Sequence, residues 1–281
     1  MKQSQASYTE EYREIGGAKI QLLRGGDGPP LLFLHGAAGG GIWLPFLAQL
    51  ARRFAVYAPA HPGFGRSEDP PGLDSIDDMA HYYLDFLDWL GLPKVRVIGL
   101  SLGGWIAAEL ATLCSHRIDR LVLVDPAGLK VDGVKVPDIF AMTPQEVVEH
   151  VFARPETAAA LFPTDPTPEQ MEAILRQRMT LARLAWNPYL HNPKLARRLG
   201  RVRVPTLIVW GARDRLFPLE MAKAWERAIP GARLAVLDDC AHVPPLDAPE
   251  TFVRTVTGFL AGGQRKNTRR GSKKLQRGKR R

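Results

Sequence analysis

A chain of 281 residues, 45% hydrophobic and 24% charged, is long enough to bury a sizeable core and too apolar for wholesale disorder. Its formal net charge of +9 is confined to one end: residues 264–281 hold ten Lys or Arg and no acid, and without them 28 of the 38 basic residues face 29 acidic ones. The body is therefore no polycation built for nucleic acid, two cysteines exclude a disulfide framework, and the most apolar stretch, residues 31–51, is too interrupted by His35, Pro45, Gln49 and a glycine cluster to cross a membrane.

The opening residues M-K-Q-S-Q-A-S-Y-T-E-E-Y contain no apolar leader, so a cytoplasmic location is the expectation. Residues 8–15 and 19–23 flank Gly16-Gly17 and predict a hairpin. Residues 31–34 form a continuous apolar run, as in a strand buried on both faces, and lead into H-G-A-A-G-G-G at 35–41. The next strand is predicted over 54–58, ahead of the loop A-P-A-H-P-G-F-G-R-S. A helix is predicted over 76–90, closed by Gly91 and Pro93. Residues 95–98 read as a strand and 105–111 as a helix, with G-L-S-L-G at 99–103 between them. Another apolar strand, 121–124, ends at Asp125.

From 128 to 199 this alternation stops, leaving prolines and helical stretches, notably 167–184, and no strand. It resumes with a strand at 206–210, a helix at 219–228, a strand at 234–237 and a helix at 249–260. The alternation implies an α/β fold with a mainly parallel, doubly wound sheet, and the strandless interruption reads as an inserted helical cap. The expected organisation is a core of residues 1–127 and 200–262, a cap of 128–199, and a basic, disordered tail of 263–281. The tail has no aromatic residue to stack on bases, so its charges supply at most weak, salt-sensitive contact with nucleic acid or an anionic surface.

In an open α/β sheet, ligand-binding loops gather at the carboxyl ends of the strands. The polar residues just past predicted strand ends are few: His35, the 59–67 loop, Ser101, Asp125, Asp214 and His242. A serine hydroxyl becomes a useful nucleophile when a base takes its proton and a third group orients that base. Ser101, Asp214 and His242 occur in the chain order Ser, Asp, His, each on a separate exit loop, the order of an α/β-hydrolase triad. An oxyanion hole needs two backbone N–H groups. Leu102, opening the helix after Ser101, is one candidate; Ala37 in the glycine-rich loop is the other, with Ala38 an alternative.

The stretches L-F-L-H-G-A-A-G-G, H-P-G-F-G-R-S, G-L-S-L-G-G-W, V-W-G-A-R-D and C-A-H-V-P-P-L-D-A-P-E-T-F together resemble the α/β-hydrolase superfamily over residues 8–262. Gly-x-Ser-x-Gly alone is weak; five stretches in the right order are not. The resemblance implies a serine hydrolase forming an acyl-enzyme on a carboxylic ester or related small-molecule acyl substrate, with no metal and no cofactor. It favours Asp214, in G-A-R-D, as the acid, and leaves Asp125 as the alternative because some relatives carry the acid there. His35, Gly36, Leu100, Trp186 and Val243 are expected to border the substrate pocket, His35 also bonding loop backbone. His61 either lines the pocket or is exposed, and Cys240 is a filler. Arginines 176, 178, 183, 197 and 198 are expected mostly to face solvent, some being available to meet a carboxylate. Ser101 counts against dehalogenases and epoxide hydrolases, which need an aspartate nucleophile. Hydrolases that cleave carbon–carbon bonds in ring-cleavage products stay open, although many of those have tryptophan where Val243 stands. A non-catalytic sensor on the same fold is the other alternative.

Overall fold

The computed structural model describes residues 7–163 and 165–262. The N-terminal residues before Ser7 and the expected basic tail, 263–281, lie outside the described residues. Strand β1 (Tyr8–Ile15) turns at Gly16-Gly17, both at positive φ (58° and 74°), into β2 (Ala18–Gly25). Two successive positive φ values match the twist of a two-residue hairpin turn, and glycine reaches them without a Cβ clash. The second strand is longer than its apolar pattern because Tyr8 pairs with Gly25 on one side and residues 22–25 pair with the next strand on the other.

Strand β3 (Pro30–Leu34) is followed by α1 (Pro45–Leu50), β4 (Ala55–Pro59), α2 (Ile76–Leu90), β5 (Val95–Leu100), α3 (Leu102–Cys114) and β6 (Ile118–Val124). After the helical interruption come β7 (Thr206–Gly211), α7 (Leu219–Ala228), β8 (Arg233–Leu237), α8 (Pro244–Asp247) and α9 (Pro249–Ala261). The eight strands lie in the order β1-β2-β4-β3-β5-β6-β7-β8, with β1, β2 and β4 joined antiparallel and every later neighbour parallel. The central strands are buried on both faces, which is why β3, β6 and β7 carry continuous apolar runs. Helices α1 and α9 touch each other, while α2 packs on α3. Helix α2 starts where Ser75 caps the Asp78 N–H and sinks Met79, Tyr83 and Phe86 into the core. Each such side chain contributes roughly 1.5–3 kcal/mol when removed from water.

Between β6 and β7 the named elements are helical: α4 (Pro144–Val151), a 3-10 turn at Pro155–Ala160, α5 (Pro168–Ala185) and α6 (Leu195–Leu199). Both α4 and α5 begin with capping boxes, from Thr143 and Glu146 and from Thr167 and Gln170. Helix α6 packs against α3 and α7, so the last part of the interruption sits on the core helices. Helix α5 is fastened to the loop after β4: Arg183 makes a two-pronged ion pair with Asp69 at 2.6 and 2.8 Å, and Arg176 donates to the carbonyls of Gly65 and Ser67. Arg178 donates to the carbonyls of Ile139, Phe140 and Met142, and Arg198 joins Asp77 and Glu109. Four of the five arginines expected to face solvent thus tie segments together; a helical pattern does not reveal which carbonyls its polar face will meet. Among the described residues, no helix is long and apolar enough to cross a membrane.

Candidate active site

Ser101 occupies the turn from β5 into α3, with φ 52° and ψ −111°. Such a conformation costs an L-residue of order 1–3 kcal/mol and survives only where the surroundings impose it. They do so here: the Ser101 N–H donates to Val124 O, and its carbonyl accepts from Trp105 and Ala127. The flanking glycines are required by space. A Cβ on Gly99 would lie 2.3 Å from the Gly103 carbonyl oxygen, and one on Gly103 would lie 2.2 Å from that of Leu34. The helix therefore starts close against β5 and β3, with Ser101 at its tip.

His242 comes from the loop between β8 and α8 and Asp214 from the loop after β7. The Ser101 hydroxyl donates to His242 Nε2 at 2.8 Å, and His242 Nδ1–H donates to Asp214 Oδ2 at 2.8 Å. Asp214 Oδ1 accepts from the Leu216 and Phe217 amides, 2.8 Å each. The Phe217 ring lies edge-on to His242, and the His242 N–H donates to Val151 O. Residues 141 and 28 positions apart in sequence thus form one hydrogen-bonded chain. His242 and Asp214 are buried, whereas Ser101 is half-buried and meets a cavity.

That cavity has a volume of about 1100 Å³ and a mainly apolar lining. Ser101, Leu102, His242, Gly36, Ala37, Leu100 and Val243 border it, as do Ala38 and the neighbouring glycines of the 36–41 loop. Among the described residues, neither the Ala37 nor the Leu102 N–H has a protein acceptor, and Ala38 shares this property. A Cβ on Gly36 would lie 3.5 Å from the Ser101 Cβ, so the loop runs beside the hydroxyl.

The pattern defining the alpha/beta hydrolase fold matches residues 29–249, well over half of the chain. The protein belongs to that family. A 2-hydroxy-6-oxo-6-(2'-aminophenyl)hexa-2,4-dienoic acid hydrolase of Metapseudomonas resinovorans is similar, at 26% identity over 92% of this chain and 93% of its own. So is the pimeloyl-[acyl-carrier protein] methyl ester esterase of Nitrosomonas europaea, 28% identical over 84% of this chain and 97% of its own. The solved 2-hydroxy-6-oxo-6-phenylhexa-2,4-dienoate hydrolase from Rhodococcus sp. strain RHA1 shares the fold, with a TM-score of 0.76 and 24% identity over 91% of this chain and 99% of that one.

In this alpha/beta hydrolase two expected pocket residues sit elsewhere. Trp186 is 55% exposed and does not border the cavity; it packs on the outside of Phe140, which does. A tryptophan beside a helix end has no sequence mark that tells lining from outer packing. His35 also lies off the cavity, buried behind the 36–41 loop and stacked on His61 at 3.8 Å. His61 is wholly buried, neither lining the pocket nor exposed. Asp125, the alternative acid, is buried beside Asp214, but the hydrogen bond to His242 belongs to Asp214. Cys240 is buried as expected of a filler, and burial pushes its thiol up to about 12.

The two core histidines form a network that sequence reasoning did not assemble. His61 Nε2–H donates to the His35 carbonyl, and its Nδ1 accepts from the Tyr83 hydroxyl. His35 Nε2 accepts the His61 backbone N–H, and its Nδ1–H donates to Gly36 O. With one ring nitrogen accepting from a backbone amide, His35 must be neutral. Burial lowers its pKa to about 4, against a smaller opposing effect of the Gly36 hydrogen bond, and burial lowers His61 as well. Above pH 6.5 both folded and unfolded chains hold His35 neutral, and nothing is lost. As pH falls from 6.5 towards 4, only the unfolded chain takes the proton, so His35 withdraws about 3 kcal/mol of stability across that window. His35→Gln, which retains an acceptor and a donor without titrating, is expected to show a shallower fall of Tm between pH 6.5 and 4.5. Parallel Tm curves for the two proteins would contradict this role.

Asp247 supports the site as well, although no spacing in the sequence assigns it that role. Its carboxylate accepts from Ala241 N at 2.8 Å and from Ala153 N at 3.1 Å, tying the loop that carries His242 to the segment after α4. The available signal was an acid five residues after His242 in a proline-rich apolar run.

Proposed function

We propose that this protein is a serine hydrolase acting on carboxylic esters or related acyl substrates through an acyl-enzyme. The observation that carries this reading is the hydrogen-bonded chain from the Ser101 hydroxyl through His242 to Asp214 at the wall of an apolar cavity. His242 takes the hydroxyl proton as Ser101 attacks the acyl carbon, then gives it to the leaving group. Asp214 holds the imidazole with Nδ1–H towards itself and Nε2 towards Ser101, and balances its charge once protonated. The Leu102 and Ala37 amides receive the tetrahedral oxyanion; losing one such donor typically costs about 10²–10³ in turnover. His242 then activates a water that releases the acid. Each step uses side chains and amides of this chain, without a metal or cofactor.

The apolar lining, with Phe140, Val147, Phe162, Leu181 and Phe217 among its residues, fits an apolar acyl or alcohol group. Hydrolysis of p-nitrophenyl acetate and butyrate tests the reading. Wild-type turnover is expected to fall at least about 10³-fold in His242→Ala, where the nucleophile loses its base. Equal background rates in both proteins, with no fluorophosphonate label on Ser101, would overturn it.

A second reading, cleavage of carbon–carbon bonds in ring-cleavage products, draws on the relatives named for dienoate substrates and on one observation. Arg176 and Arg178 border the cavity, and their hydrogen-bond partners among the described residues are backbone carbonyls rather than Glu169 and Glu172, which border it too. A dienoate substrate carries the anion such cations attract. Turnover of a 2-hydroxy-6-oxo-dienoate above that of the butyrate ester would favour this second reading.

A further inference from the structure

The triad acid has a neighbour that the mechanism above leaves unused. Asp125 follows β6, is wholly buried, and sits at φ 40°, a conformation uncommon for a residue other than glycine. Its Oδ1 accepts the Gly211 N–H at 2.9 Å; its Oδ2 is buried and has no donor among the described residues. One side-chain atom from each of Asp125, Asp214 and His242 lies within 4.8 Å of the other two. Two carboxylates so placed, out of water, do not both ionise.

The hydrogen bonds decide which of them holds the charge. Asp214 accepts from three donors, the Leu216 and Phe217 amides and the His242 ring, whereas Asp125 accepts from one. An ionised carboxylate offers about four acceptor sites, so Asp214 retains one to fill. We propose that Asp125 carries a proton and donates it in a hydrogen bond to Asp214, making Asp125 a positioning residue for the triad acid. It rests on the reading of Asp214 as that acid.

The electrostatic surroundings agree. Burial raises the Asp125 carboxyl well above the usual carboxylate range, the Asp214 charge raises it further, the Gly211 N–H opposes them, and Asp247 adds to the rise. The other titratable groups facing it come from the loop between β8 and α8: His242, already bonded to Asp214, and Cys240, whose thiol burial keeps protonated. None supplies a cation that would ionise Asp125. A protonated Asp125 satisfies both ends of its side chain, one oxygen on Gly211 and the hydroxyl on Asp214, and gives Asp214 a fixed orientation from which to aim at His242.

Two variants and one spectrum test this. Asp125→Asn keeps an acceptor for Gly211 and a donor for Asp214; Asp125→Ala keeps neither. With p-nitrophenyl butyrate, kcat is expected to fall about 10–100-fold in Asp125→Ala with KM within about 3-fold, and to recover to within about 3-fold of wild type in Asp125→Asn. An infrared spectrum of carboxyl-labelled aspartate in the whole protein at pH 8 should contain the carbonyl band of a protonated acid that Asp125→Asn removes. A spectrum unchanged by Asp125→Asn would overturn the proposal, as would an Asn variant as slow as the Ala variant. If Asp125→Ala fails to fold, the infrared comparison of wild type with Asp125→Asn decides alone. If the wild type hydrolyses no ester, that failure belongs to the reading of Ser101, and the infrared result still judges the proton on Asp125.

Discussion

Ser101→Ala is expected to lower ester kcat by about 10⁴-fold or more while leaving KM and the fold intact. That factor corresponds to roughly 5.5 kcal/mol of lost transition-state stabilisation. Among the described residues the side chain has one hydrogen-bond partner, His242, so its removal should break the proposed covalent route without opening the core. On the proposed mechanism, binding and the Leu102 and Ala37 amides remain to orient a substrate but offer it no nucleophile. The backbone adds a separate signature. Because Ser101 holds φ at 52°, Ser101→Gly should relieve strain and raise stability by about 1 kcal/mol although it is equally inactive. Tm and turnover measured on both variants separate the two effects. An Ala variant retaining a tenth of the wild-type rate would mean that another group attacks the substrate.

Gly103→Ala should be a severely damaging single-methyl change at the candidate site. The new Cβ would lie 2.2 Å from the Leu34 carbonyl oxygen and 2.5 Å from that of His35, both backbone atoms that cannot swing aside. Relief requires α3 to move off β3, which disturbs the tight packing of Leu34, Ile98 and Ile106 and shifts the elbow and the 36–41 loop together. Overpacking with backbone displacement costs about 3 kcal/mol or more, a large part of the total stability of a typical domain. Loss of soluble protein, or a Tm lower by several degrees together with lost turnover, is the expected result, read by thermal unfolding and ester hydrolysis. A folded variant of wild-type Tm would show that the helix start has slack its neighbours do not suggest.

Much of the core was legible in the residues. The 76–90 and 219–228 helices have the bounds their patterns predict, because a cap or turn signal stands at their ends. Strand β1 has its predicted bounds, most other strands differ by one or two residues at an end and β6 begins three residues early, since pairing rather than propensity sets where a ladder stops. The site divides differently. Ser101, Asp214 and His242 could be read as a set because each follows its own strand, and parallel strands bring their carboxyl ends to one edge. His35, His61 and Trp186 could not be placed, because whether a side chain lines a cavity depends on which way a loop turns after its strand.

Residues read along the chain specified a mainly parallel sheet, the strandless interruption, the glycines around Ser101 and the order of the three site residues. These follow from hydrophobic periodicity and local sterics, properties of neighbours along the chain. Only the tertiary structure decided that Asp214 rather than Asp125 bonds His242, that His35 and His61 lock each other in neutral form behind the loop, and that Asp247 ties down the His242 segment. Those contacts join residues far apart in sequence, through hydrogen bonds whose strength depends on burial, and no local pattern specifies which buried partner a polar group will meet.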